Sequence, residues 1–110
     1  MPNVFPEPIT MLPLAAIPLE GVKGYLLQGE RQHLLFMEFS KDLELPEHSH
    51  EAQWGVVLEG RINLVIDGDK HMFAKGDRYF IPEGVNHSAR IYAGYVDITY
   101  FDDRDRYDLK

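Results

Sequence analysis

With 110 residues and a net charge of −7, the chain has room for one ordinary domain, and its acidic balance excludes a protein built to coat nucleic acid or anionic lipid, either of which needs clustered Lys and Arg. The absence of Cys excludes disulfides, thiolate zinc sites and a cysteine nucleophile, so any metal must sit on nitrogen or oxygen ligands. A hydrophobic fraction of 45%, with six Tyr, six Phe and one Trp, supplies enough apolar surface for a folded core and excludes wholesale disorder.

Pro2, Pro6, Pro8, Pro13 and Pro18 interrupt the first twenty residues, leaving room only for short extended pieces or one helical turn. That stretch nevertheless carries Val4, Phe5, Ile9, Met11, Leu12, Leu14, Ile17 and Leu19, more apolar groups than a free arm should expose. Residues 1–22 therefore read as an arm packing on a sheet edge or on a neighbour, and residues 23–110 as a single β domain. The opening "MPNVFPEPIT" has neither the basic nor the unbroken apolar region of a signal peptide, and no apolar run approaches a membrane span. The expectation is a soluble cytoplasmic protein that engages neither nucleic acid nor membrane.

From Lys23 onward short apolar runs recur between turn signals: "GYLLQG", "HLLFMEFS", "WGVVLEG", "RINLVIDG", "RYFIP", "HSARIYAG" and "YVDITYF". No window holds a long helical period, so the pattern predicts an all-β sandwich or barrel. Asp67-Gly68 predicts a two-residue hairpin, with Ile62, Leu64 and Ile66 facing inward. The closing "DDRDRYDLK" reads as a solvated terminus.

The chemistry lies in two stretches. In "PEHSHEAQWGVVLEG", residues 46–60, strand alternation from Pro46 puts His48 and His50 on one face, close enough to share an ion. In "GDRYFIPEGVNH", residues 76–87, Gly76 makes a turn into a strand, Pro82 and Gly84 fix a bend, and His87 arrives at the start of the next strand. His33 and His71 lie outside both stretches and read as surface or cap residues. Tyr79, Trp54, Phe36, Tyr92 and Tyr100 read as core; Arg78 faces either the pocket or solvent, and Glu83 and Asn86 sit on a rim bend.

Together the two stretches resemble the paired motifs of the cupin superfamily, G-x5-H-x-H-x(3,4)-E-x6-G and G-x5-P-x-G-x2-H-x3-N. Gly76, Pro82, Gly84 and His87 match the second motif, with Ile91 at its Asn position. His48, His50 and Gly60 match the first, whereas Asp42 stands at its leading Gly and Gln53 replaces its Glu one residue early. The resemblance, over roughly residues 34–101, implies a small single-domain cupin of the RmlC-like type, a small antiparallel β-barrel or jelly roll. It also implies one divalent transition metal held by His48, His50, Gln53 and His87, with Glu51 the rival fourth ligand or a catalytic base. Imidazole with oxygen suits Fe, Ni, Zn, Mn or Cu. Three classes of function stay open: a metal-dependent oxygenase, isomerase or lyase acting on a small polar metabolite, a small-molecule-binding or sensing module, and a structural cupin without chemistry. The habit of small cupins implies a homodimer.

Overall fold

The computed structural model describes residues 4–103 and 106–107. One helical turn, α1 (Glu7–Thr10), precedes nine strands: β1 (Val22–Gln28), β2 (His33–Phe39), β3 (Leu43–His48), β4 (Gln53–Glu59), β5 (Arg61–Ile66), β6 (Asp69–Ala74), β7 (Arg78–Ile81), β8 (His87–Ile91) and β9 (Val96–Phe101). They form two antiparallel sheets, β1-β2-β9-β4-β7 and β3-β8-β5-β6, in a jelly roll whose inner faces meet in one core. Among the described residues no helix is long and apolar enough to cross a membrane.

Period-2 alternation decides what faces inward. On β2 the odd positions His33, Leu35, Met37 and Phe39 are buried, and the first three pair across the five-stranded sheet with the inward residues of β9, Phe101, Thr99 and Asp97. On β5, Ile62 and Leu64 are buried as the hairpin reading requires, and the turn that follows has Asp67 and Gly68 at φ 49° and 83°, the left-handed values of a type I′ turn. Leu35, Val57, Ile62, Leu64, Ile81, Ile91, Tyr95 and Phe101 fill the space between the sheets.

The proline-rich arm packs on the outside of the five-stranded sheet. Phe5 is buried edge-on against Tyr25 and Phe36, and Ile9, Leu12 and Leu14, like Leu58 and Ile98, pack against the cluster of Phe5, Tyr25 and Val96. Backbone bonds from Ala15 to Gly24 and from Leu26 to Pro13 attach it to β1, the edge strand, so part of an otherwise bare edge is paired.

One strand escaped the sequence reading and two expectations need correction. β6 gives no apolar alternation in the sequence because it is an exposed edge strand, with Asp69 to Met72 all facing solvent. Trp54, read as core, points outward and is 40% exposed, because Gln53, Gly55 and Val57 are the positions of β4 that turn inward. His33, read as a surface or cap residue, is fully buried in phase with Leu35 and Met37, stacked on Phe101 with Nδ1 hydrogen-bonded to the Asp103 carbonyl. His71 is exposed, as expected.

Candidate metal centre

His48, His50 and His87 converge. Their candidate ligand atoms all lie within 4.8 Å of one another, and their ring centroids are separated by 4.2 Å (His48 to His87), 4.7 Å (His50 to His87) and 5.3 Å (His48 to His50). The route differs from simple alternation along one strand. β3 begins at Leu43, ahead of Pro46, and ends at His48; its register with β8 shifts between Leu45 and His48. Pro46 lacks an N–H for the ladder and is tolerated because β3 is an edge strand with an irregularity at that point. His48 pairs directly with His87, and His50 sits beyond the strand in the connection to β4. A bond from Gly84 N–H to the His50 carbonyl, 3.0 Å, ties that connection to the bend that delivers His87. Gly84 has φ 75°, a value that an L side chain would strain.

Each ring is oriented by a backbone carbonyl. His48 Nδ1 bonds to the Pro46 carbonyl at 2.8 Å, His50 Nδ1 to that of Glu51 at 2.7 Å and His87 Nδ1 to that of Val85 at 3.0 Å. A carbonyl only accepts, so Nδ1 carries a proton in each of the three rings, which leaves Nε2 as the atom that can offer a lone pair. Burial holds His50 down to about 4, against a bond from its ring to the Glu51 carbonyl that raises it, with Arg106, His87 and His48 lowering it further. Burial likewise lowers His87, opposed by its bond to the Val85 carbonyl. Three imidazoles presenting Nε2 toward one another could hold a transition metal. Two metal–nitrogen bonds of about 2.1 Å at a tetrahedral angle hold their nitrogens about 3.4 Å apart, so binding draws the widest pair together by up to about 1.4 Å.

The imidazoles open into the barrel cavity, about 60 Å³, which Gln53, Tyr79, Asp97, Thr99, Phe101 and Arg106 also line. By the volume of a water this holds roughly four water molecules, or a ligand of a few heavy atoms. Glu51 stands elsewhere: its side chain is exposed and does not line the cavity, and its contribution is the carbonyl that orients His50. Gln53 does line it, half-buried at the start of β4. Arg78, Glu83 and Asn86 are exposed.

Sequence reading missed two parts of this interior. Asp97 is 3% exposed and accepts hydrogen bonds from Tyr95 Oη (2.7 Å), Thr99 Oγ1 (3.0 Å) and Tyr79 Oη (3.3 Å). Burial pushes its carboxyl up to about 6 while those hydroxyls draw it down, so it is ionised at neutral pH. The signal was available, since Asp97 is in phase with Thr99 and Phe101. The second part is the tail. Expected to be a solvated terminus, it instead brings Arg106 and Tyr107 to the cavity wall, Tyr107 packing edge-on against Phe101; residues 104–105 and 108–110 lie outside the described residues. Arg106 Nε is buried and without a hydrogen-bond partner among the described residues.

A sequence model of the Cupin domain family matches residues 35–100, more than half of the chain and both histidine stretches. The chain belongs to the cupin family. Among solved structures, an RmlC-like cupin from Shewanella frigidimarina NCIMB 400 is 26% identical over 86% of each chain, with a TM-score of 0.73. KdgF from Halomonas sp. is 20% identical over 83% of this cupin and 87% of that chain, with a TM-score of 0.70. Oxalate decarboxylase from Bacillus subtilis shares 19% identity over 87% of this cupin but only 28% of its own length, with a TM-score of 0.69. No curated protein matches significantly. At these identities KdgF and the decarboxylase speak for the fold alone.

Proposed function

We propose that this cupin is a metal-dependent enzyme acting on a small anionic metabolite held in the barrel, in the oxygenase, isomerase or lyase class. The observation that carries it is the histidine cluster itself: three imidazoles with their Nδ1 protons committed to backbone carbonyls, opening into a cavity that has room for more than the ion. Gln53 is the fourth ligand in this reading, favoured over Glu51 because Gln53 lines the cavity and Glu51 does not. A divalent ion there supplies Lewis acidity, polarising an oxygen of the bound molecule.

The protein's own residues supply the rest. Three imidazoles and a neutral amide cancel none of a divalent ion's charge, and although the Asp97 carboxylate on the same wall offsets the Arg106 guanidinium, the ion leaves the cavity net positive and favourable to an anion. Arg106 Nε, unpartnered among the described residues, is a donor ready for a carboxylate, the group that a guanidinium fork matches best. Phe101, Ile81 and Ile62 close the cavity on its apolar side and strengthen each polar contact by excluding water. The Arg106 guanidinium on the cavity wall supports a small carboxylic acid as substrate class, and the absence of Cys fits a reducing, cytoplasmic setting.

The second reading, a non-catalytic binding or sensing cupin, uses the same pocket. Incubating the metal-loaded protein with a panel of two- to four-carbon hydroxy, keto and dicarboxylic acids separates them. Turnover supports the enzyme, whereas a ligand-dependent rise in melting temperature without turnover supports the sensor.

The protomer is proposed to pair with a second copy through the outer face of the five-stranded sheet. The arm covers Tyr25, Phe36 and Ile98 there, but leaves Leu27, Trp54 and Phe80 at 48%, 40% and 56% exposed, an apolar band a monomer seldom shows to water.

A further inference from the structure

Gln53 and Asp97 sit at different depths of the barrel. Gln53 shares its row of the five-stranded sheet with Phe101 and His33; Asp97 lies two rows deeper, flanked by Val57 and Met37. Tyr79 spans the interval, its hydroxyl 3.4 Å from Gln53 Nε2 and 3.3 Å from Asp97 Oδ2. It reaches both because its ring crosses Gly55, the residue between those rows: a Cβ there would stand 2.4 Å from Tyr79 Cζ and 2.6 Å from its hydroxyl.

The direction of each bond follows from donor and acceptor chemistry. An ionised carboxylate only accepts, and Asp97 already gathers the hydroxyls of Tyr95 and Thr99, so the Tyr79 proton is committed to it. That leaves only lone pairs on the Tyr79 oxygen. Gln53 can satisfy them with its NH2 group and not with its carbonyl. An amide's two ends are nearly the same size, so packing alone cannot choose between them; a hydrogen-bond network can.

We infer that the Asp97–Tyr79 pair fixes the amide of Gln53 with its oxygen toward the three imidazoles, which makes Tyr79 and Asp97 positioning residues of the metal centre. The inference rests on the proposal that Gln53 is the fourth ligand. It follows from the substitution this chain carries: a glutamate offers two equivalent oxygens and needs no such device, whereas a glutamine turned the wrong way presents N–H groups to the ion.

The test is a competition titration of Co²⁺ against a chelator, read by affinity and by the visible absorption of the bound ion, in a Gln53 and a Gln53→Glu background. Tyr79→Phe removes the acceptor for the amide. Asp97→Leu removes the acceptor of the phenol proton, freeing that proton for Gln53 and reversing the amide. Either change is expected to weaken Co²⁺ binding by about 10- to 100-fold in the Gln53 protein and to alter the spectrum, yet to change affinity less than about twofold in the Gln53→Glu protein, where no orientation remains to be set. Near-ultraviolet circular dichroism shows that each variant is folded, and two independent variants guard against the loss of one. Equal losses in both backgrounds, or no loss in the Gln53 background, overturn the inference while leaving Gln53 a ligand. Unchanged affinity in Gln53→Ala overturns the fourth-ligand proposal, and the inference falls with it.

Discussion

Asp97 is a carboxylate kept inside a core by three hydroxyls, and its energetics have a definite sign. Its folded value is raised from 3.8 to about 6 by burial, so the folded chain holds a proton more tightly than the unfolded chain does. The stability it contributes is fully present below 3.8 and is lost as pH rises through 6. A shift of about two units corresponds to about 3 kcal/mol as an order of magnitude. Tyr79 from β7 and Tyr95 from the turn just before β9, both raised by burial, stay protonated throughout, and Thr99 does not titrate. In urea denaturation of the metal-free protein, the stability of the wild type relative to Asp97→Asn is therefore expected to improve as pH falls from about 7 to about 4. A difference independent of pH would show that Asp97 does not titrate as a buried group.

At the scale of elements, the arm is joined to the barrel by side chains as much as by backbone. Phe5 is 4% exposed between Tyr25 and Phe36, with ring centroids 6.3 and 5.5 Å away. Phe5→Ala should cost about 3 kcal/mol by thermal or urea denaturation; a loss below about 1 kcal/mol would mean the arm is dispensable to the fold. What the sequence disclosed at this scale follows from where side-chain pattern and backbone agree. Ile62, Leu64 and the Asp67-Gly68 turn are legible because alternation and turn chemistry point the same way. β6 is not, because an exposed edge strand has no buried face to write a pattern. His48, His50 and His87 were legible from motif spacing, although strand alternation misplaced His50 on a strand that ends at His48. Arg106 and Tyr107 were not, since nothing local in an acidic-basic tail tells that the chain comes back to the cavity wall. Asp97 and His33 lay between these cases: each is in phase with its buried neighbours, but a polar residue in a short strand is read outward until its partners are known.

At the scale of the whole molecule, the two sheets serve the site unequally. The four-stranded sheet brings His48 and His87 side by side, while the five-stranded sheet supplies the polar floor of Gln53, Tyr79, Asp97 and Thr99 on its inner face. Its outer face carries the proposed dimer contact. Light scattering at micromolar concentration should give twice the chain mass for the wild type, and the double variant Trp54→Glu with Phe80→Glu should give the monomer mass with its metal site intact. A monomeric wild type would remove the dimer from this account.

The central claim is that His48, His50 and His87 together bind one divalent transition metal, and elemental analysis of untagged protein tests it most directly, comparing the wild type with His50→Ala and His71→Ala after equilibration with the metal and gel filtration. The account predicts about one ion per chain in the wild type and in His71→Ala, and a sharp loss in His50→Ala, because only that change removes a ring from the cluster. Equal metal content in the two variants, or none in the wild type, would contradict it.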